Sequence, residues 1–240
     1  MNFKWTRALW LAAMLTFAFA HAALAASWAQ QKMRSGHFPV RSACMMPPQG
    51  HLIRIGVKGA ETMTKESDEW ANALEAFVET HLKLAGISTS PAPAALDSGA
   101  SNEELNQVLL QIEQKFESVS KQMDKEPKGV GKSLFSLSDQ VAMLPCSAKS
   151  DLLVFVQGVG QELTGGRAVM TFAIGGPAEG AALLVTLADA KSGEILALVR
   201  VREMDPFFND AERTFGEQLD REFANINLGA ARRNASARPR

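Results

Sequence analysis

The sequence predicts an α/β (α+β) domain with a mixed sheet, flanking helices and an inserted helical segment. Two observations carry this prediction. The first half of the chain joins short extended segments to amphipathic helices, and the last third reads as consecutive strands that form a C-terminal antiparallel meander before one closing helix. We expect a single domain over residues 38–228, with the helical insertion at about residues 101–145.

An export signal precedes this domain. Residues 1–25 carry Lys4 and Arg7 and no acidic residue, then an apolar run over residues 8–20, then small residues at Ala23 and Ala25. This order is typical of a signal peptide, so we predict cleavage after Ala25. The apolar run spans only about 20 Å as a helix, against about 30 Å of membrane hydrocarbon, so no transmembrane anchor is expected after cleavage. The predicted location is periplasmic or secreted.

The charge balance bears on the class of partner. Without Lys4 and Arg7 the chain has 23 basic and 26 acidic residues, which gives no electrostatic case for nucleic acid. Basic residues concentrate locally at residues 229–240, where no apolar periodicity occurs. This segment is predicted to be a disordered basic tail, and a weak contact with acidic surfaces is the alternative.

The amino-terminal part of the domain is predicted as two strands and a helix. Residues 26–37 are polar and mixed, and we expect a loose lead-in there. Residues 38–46 form a first strand that Pro47 and Pro48 end, and residues 51–57 form a second. A helix follows, with Ser67 as its N-cap and Gly86 beyond its end. Its apolar residues share one face: Trp70, Leu74, Phe77, Val78, Leu82 and Ala85.

The inserted segment begins with a capping box, Ser101-x-x-Glu104. Behind it, apolar residues recur at alternating four- and three-residue steps and form one stripe. The stripe consists of Leu105, Leu109, Ile112, Phe116, Val119 and Met123. Two interpretations remain open: the helix packs on its own sheet, or the stripe is the seam with a partner or a second copy. On the second interpretation these six are the candidate partner-binding residues. A short helix over 137–144 follows.

The last third of the domain is the meander. Residues 151–158 form a continuous apolar run of the kind that a strand covered on both faces needs, and further strands are predicted over 167–174, 181–188 and 194–201. Residues 189–193 supply a tight hairpin turn. A helix over about 210–226 closes the domain.

Two cysteines, Cys44 and Cys146, lie in the exported part of the chain. An oxidising compartment allows such a pair to persist as a disulfide, which we predict. The alternative is two buried free thiols that act as small apolar residues. No C-x-x-C motif is present, which argues against thiol-exchange chemistry.

The order of elements resembles the periplasmic α/β domain of the curli-secretion channel lipoprotein and of the amino-terminal domain of the Tol-system propeller protein. The matching segments are residues 45–48, 150–158 and 189–194, which read Met-Met-Pro-Pro, Ser-Asp-Leu-Leu-Val-Phe-Val-Gln-Gly and Asp-Ala-Lys-Ser-Gly-Glu. The chain departs from that pattern in having no lipobox cysteine and in its helical insertion. The resemblance implies envelope assembly through protein contact, and it supplies no catalytic residue.

Fragments that suggest chemistry are each incomplete. Gly131-Lys132-Ser133 ends like a phosphate loop, but the glycine that should begin the motif is replaced by Glu126. His37 and His51 lack the spacing of a zinc site, and His81 lies on the predicted buried face of its helix. No serine stands in a Gly-x-Ser-x-Gly motif, and no cysteine has a histidine partner of the kind that an enzyme nucleophile requires.

We therefore expect no enzyme and no metal or cofactor. The predicted role is that of a non-enzymatic exported envelope protein acting by protein contact. The envelope partner is unknown, and homo-oligomerisation is left open. The alternative is a periplasmic carrier of a small apolar or lipid-like ligand.

Overall fold

The structure, a computed structural model, describes residues 25–56, 59–91, 102–163, 180–203 and 211–228. Within these ranges eight strands form one sheet. The strands are β1 (Ala25–Ala29), β2 (Ser42–Met45), β3 (Gln49–Gly56), β4 (Gly59–Thr62), β5 (Ser88–Pro91), β6 (Leu152–Leu163), β7 (Gly180–Asp189) and β8 (Ile195–Glu203). The α-helices are α1 (Gln31–Arg34), α2 (Thr64–Leu84), α3 (Asn102–Lys125) and α4 (Ala211–Asn225), and 3₁₀ helices span Pro127–Lys132, Asp139–Met143 and Ser147–Lys149.

The strand order is β1-β8-β7-β6-β2-β5, and β3 pairs with both β6 and β4. Strands β6, β7 and β8 are antiparallel neighbours, whereas β2 and β3 run parallel to β6. The predicted fold class, a mixed sheet with a C-terminal antiparallel meander, is therefore confirmed. The strand predicted over residues 167–174 lies outside the described residues.

Strand β6 is long enough to hold two partners on one side. Its first part pairs with β2 and its second part with β3, so β2 and β3 follow each other along the same side of β6. Pro47 and Pro48 stand between them, and a proline has no amide hydrogen to donate to a sheet. Because of this interruption, β2 pairs with residues 152–154 of β6 and β3 pairs with residues 157–163. Strand β3 therefore lies at the opposite end of β6 from β2 and its Cys44.

Helices cover both faces of the sheet. Side chains of α2 and α4 pack with one face in a core cluster, and side chains of α3 and of the 3₁₀ segments pack with the other. The two clusters alternate along β6, where Leu152, Val154 and Val156 face the first and Leu153 and Phe155 face the second. This alternation follows from the two-residue period of a strand and explains why the run appeared continuously apolar in the sequence.

Helix α2 begins three residues before the predicted N-cap. Its first residue is Thr64, and Ser67 lies buried in the first turn. The Ser67 hydroxyl donates to the carbonyl of Met63 at 2.5 Å and accepts the amide of Leu52 at 2.9 Å. The N-cap prediction was wrong because Ser67 binds a neighbouring strand. Gly86, with φ of +85°, follows the helix end as predicted.

The segment predicted as a loose lead-in, residues 26–37, contains most of β1 and the short helix α1. Strand β1 pairs antiparallel with β8, and α1 follows it. Gln30 then donates to Glu194 Oε1 at 2.8 Å and to the carbonyl of Ile195 at 2.7 Å. The lead-in prediction was wrong here because pairing with the backbone of β8 stabilises this segment, and such pairing leaves no periodic signal in a short sequence.

Glu194 makes the attachment of this segment sensitive to pH. Burial raises the pKa of Glu194, but hydrogen bonds from Lys32, Gln30 and Ser133 outweigh it and hold the pKa below its ordinary value. A carboxyl with a lowered folded-state pKa contributes stability above its unfolded pKa, and that contribution is lost as pH falls through the folded value. We expect the Glu194→Gln variant to be less stable than wild type at neutral pH. The difference in the free energy of unfolding between wild type and variant, measured by urea titration, should narrow steadily as the pH falls below 4.5, the ordinary pKa of a glutamate.

Gly50 allows α2 to lie close to β3. A Cβ built on Gly50 would lie 2.1 Å from the backbone carbonyl oxygen of Ser67, so Gly50→Ala must displace the helix. We expect a loss of about 1 to 3 kcal/mol in the free energy of unfolding. Gly216→Ala is the matched control, because among the described residues no heavy atom other than its chain neighbours and its own helix backbone lies within 4 Å of the added methyl group. That change should stabilise α4 by about 0.5 to 1 kcal/mol. Equal effects in chemical denaturation would contradict this account.

Candidate functional site

The candidate site lies where helix α3 leaves part of the sheet uncovered. Phe116 of α3 stacks on Phe155 of β6, with ring centroids 4.0 Å apart. The side chain of Asp124, near the end of α3, reaches Arg200 of β8, whereas Glu113 lies beside β3 in a cleft. From Glu113 to Asp124 the helix rises about 16 Å, which matches the width of about four strands. Helix α3 therefore crosses the strands from β3 to β8.

Strand register arranges the side chains next to α3 in two rows across the strands β3, β6, β7 and β8. Residues opposite each other in paired strands point to the same face. The inner row consists of Gln49, Gln157, Leu184 and Arg200. The outer row consists of His51, Val159, Ala182 and Arg202. We call these two rows together the shelf.

The inner row fastens α3 to the sheet. Ser120 donates to Gln157 Oε1 at 2.9 Å, and Gln157 Nε2 donates to Gln49 Oε1 at 2.9 Å. Nη2 of Arg200 donates to Oδ1 of Asp124 at 2.6 Å, and its guanidinium lies 5.6 Å from the ring centroid of Trp28. The Arg200 side chain is only 12% exposed. Polar contacts at Gln157 and at Arg200 thus hold the helix in one position.

The outer row is open. His51 and Arg202 are exposed, Ala182 is half-buried, and Val159 is 45% exposed. Two clefts lie along the shelf and share Ser120, Lys121 and Gln157 in their linings. The cleft at the β3 end has a volume of about 650 Å³, and the cleft at the β8 end about 340 Å³. Together they form one groove with α3 as its wall.

The two ends of the groove differ in charge. Carboxylates of Asp68, Glu113 and Glu117 line the β3 end, together with His51. Cations line the β8 end, together with Asp124; they are Lys121, Arg200 and Arg202. Glu117 and Lys121 meet between the two ends, at 2.6 Å. That hydrogen bond, the charge of Lys121 and the nearby His51 lower the pKa of Glu117. The groove therefore has an acidic end and a basic end.

The stripe predicted as a candidate partner seam faces the other way. Leu109, Ile112, Phe116, Val119 and Met123 are buried in the chain's own core, and the half-buried Leu105 packs against the same cluster. The structure therefore supports the interpretation in which α3 packs on its own sheet. These side chains are covered and present no surface to a partner, so the partner-binding assignment was wrong. The same apolar periodicity occurs in a helix that packs on its own sheet and in a helix that contacts a partner. Only the position of the sheet relative to the helix distinguishes the two cases. Ser101 of the predicted capping box lies outside the described residues.

The predicted disulfide is present. Cys44 of β2 and Cys146 are bonded, with their Cα atoms 5.8 Å apart. Both cysteines belong to the core cluster beneath α3, so the bond fixes the segment that follows this helix to strand β2, next to β6.

The remaining fragments do not converge on chemistry. Nδ1 of His81 lies 2.5 Å from Asp220, which joins α2 to α4, and His37 lies beside Ser35. Lys132 ends a 3₁₀ helix, not the strand-loop-helix of a phosphate site. Within the described ranges no three histidine, cysteine or acidic side chains are placed to hold a metal ion. No helix among these residues is long and apolar enough to span a membrane.

Comparison with known proteins gives structural neighbours only. No family model matches the chain, and no curated protein matches it. A PelC dodecamer from Paraburkholderia phytofirmans is similar at 8% identity and a TM-score of 0.40, over 85% of this chain and 97% of that one. Lipoprotein GNA1162 from Neisseria meningitidis is similar at 11% identity and a TM-score of 0.31, over 82% of this chain and 99% of that one. The LpoB C-terminal domain from Salmonella enterica is similar at 8% identity and a TM-score of 0.25, over 74% of this chain and 96% of that one. The resemblance to the curli and Tol proteins stays a prediction.

Proposed function

We propose that this chain is a non-enzymatic, exported envelope protein that acts by protein contact, and that the shelf beside α3 is its contact surface. The observation that carries the proposal is the outer row. It places an exposed valine between exposed polar residues on a part of the sheet that α3 does not cover. A rigid surface with an apolar centre and a charged rim has the composition of a protein interface.

The chemistry of the groove supports contact over catalysis. Catalytic acids and bases depend on burial or on paired carboxylates to adjust their pKa values. Glu117 is exposed and its pKa is lowered by Lys121, which keeps it ionised and unsuited to donate a proton at neutral pH. Glu117 therefore serves better as a recognition charge on the rim of an interface.

The rigidity of the shelf also supports this role. The inner row connects α3 to the sheet through Gln157 and Arg200, so the wall and floor of the groove are held together before any partner arrives. A surface that does not have to order itself loses less conformational entropy on association.

Capture with matched variants tests the proposal. The mature protein, a Val159→Lys variant and a Leu134→Lys variant are immobilised and exposed to solubilised envelope of the native host. Leu134 is 58% exposed and lines none of the clefts described here, which makes it the control. We expect the Val159→Lys variant to capture at least about tenfold less partner than wild type, because a charge replaces the apolar centre of the outer row. The Leu134→Lys variant should capture as much partner as wild type. Equal capture by both variants would contradict the proposal.

The smaller cleft gives a second candidate function some support. Val159, Ala182 and Leu184 form an apolar floor beside the cations of the β8 end, which suits a small apolar molecule with an acidic group. This is the carrier alternative. It predicts saturable binding of a fatty acid such as laurate that Leu184→Lys abolishes, and absence of laurate binding would exclude it for this class of ligand.

A further inference from the structure

We infer that the occupant of the shelf is a second copy of this chain, docked about a two-fold axis with the two α3 helices antiparallel. The inference rests on the proposed contact function and names its partner. In a two-fold contact the same patch serves both molecules, so the patch must be complementary to itself after rotation. The groove meets this condition in charge.

The two ends of the groove are complementary in charge. Asp68, Glu113 and Glu117 line the acidic end, Arg200 and Arg202 line the basic end together with Asp124, and Lys121 lines both clefts. A two-fold rotation across the groove lays the acidic end of each copy on the basic end of the other. A parallel arrangement would lay like charges on each other, which association disfavours.

The antiparallel geometry also assigns the central ion pairs. Glu117 and Lys121 are one helical turn apart, and both point into the groove. An axis that crosses α3 between them places Glu117 of each copy beside Lys121 of the other. The bond that now joins these residues within one chain is exposed, so exchanging it for the intermolecular pair has little cost.

Charge exchange at these two positions tests the inference. The variants are Glu117→Lys, Lys121→Glu and the double exchange, with Lys115→Glu as the control. Lys115 is exposed on α3 and lines neither cleft of the groove. Sedimentation equilibrium measures self-association, and circular dichroism confirms that each variant is folded.

We expect wild type and Lys115→Glu to dimerise alike. Each single exchange should weaken the dimer by roughly tenfold, since two symmetric attractions become repulsions. The double exchange should restore it. An equimolar mixture of the two single variants should form a heterodimer in native mass spectrometry, because the two basic side chains of one variant then face the two acidic side chains of the other.

Two outcomes overturn the inference: a wild-type chain that stays monomeric at concentrations on the order of 100 μM, or single variants that self-associate as well as wild type. Neither outcome affects the capture experiment with Val159→Lys. If capture fails for that variant while wild type is monomeric, the shelf still binds a partner but the partner is another protein. If wild type dimerises and both capture variants behave alike, the proposed contact function fails instead.

Discussion

Replacing Phe116 with alanine is expected to lower the free energy of unfolding by about 3 to 5 kcal/mol. Phe116 is 1% exposed and stacks on Phe155, so its removal leaves a cavity between α3 and the centre of the sheet. Urea denaturation followed by far-ultraviolet circular dichroism measures the change. The size of the effect depends on α3 being a core helix of this chain.

Leu134→Ala serves as the comparison for Phe116→Ala. Leu134 is an apolar side chain that is 58% exposed, and its truncation should change the free energy of unfolding by less than about 0.5 kcal/mol. If Phe116→Ala proved as mild as Leu134→Ala, α3 would not pack on the sheet. The stripe from Leu105 to Met123 would then again be available as a seam with a partner.

Reduction of the Cys44–Cys146 disulfide is expected to cost about 4 to 5 kcal/mol. The two cysteines are separated by 102 residues in sequence, and a long loop closed in the unfolded chain removes much of its conformational entropy. The free energy of unfolding should be measured with and without dithiothreitol. The Cys44→Ala/Cys146→Ala variant should be close to reduced wild type and should not respond to the reductant. A wild-type loss below about 1 kcal/mol would contradict this expectation.

The elements with strong periodicity were predicted well from the sequence. The apolar run of β6 and the hairpin turn at residues 189–193 lie where they were expected, and Asp189 accepts the amides of Lys191 and Ser192 as a tight turn requires. Local chemistry decides these features, so a single sequence contains the information. The disulfide was predictable in part, since the compartment favours it but only the fold brings β2 beside residue 146.

Other features depend on tertiary pairing and were missed. Strand β1 forms by pairing with β8 on the side away from β7. Ser67 is buried because Gly50, which has no side chain, allows α2 to lie close to β3. The stripe on α3 illustrates the same limit. Its apolar spacing showed that one face is buried, but not whether the chain's own sheet or another molecule buries it.

The shelf did leave a signal in the sequence. Along β8, Arg200 and Arg202 alternate with Val199 and Val201, which indicates one buried and one solvent-facing side at that end of the strand. Gln157 similarly interrupts the apolar run of β6. These polar residues mark the line at which α3 stops covering the sheet. Their alignment into rows follows only from the strand register.

Site-specific photo-crosslinking tests the central claim, that the shelf is the contact surface, most directly. A photoreactive amino acid is introduced at Val159 in the outer row or at Leu134 as control, and the full-length chain is expressed and irradiated in its native host. The account predicts a discrete adduct from position 159 and none from position 134, and mass spectrometry of the adduct identifies a second copy or another envelope protein. Absence of an adduct at position 159, or equal adducts at both positions, would contradict it.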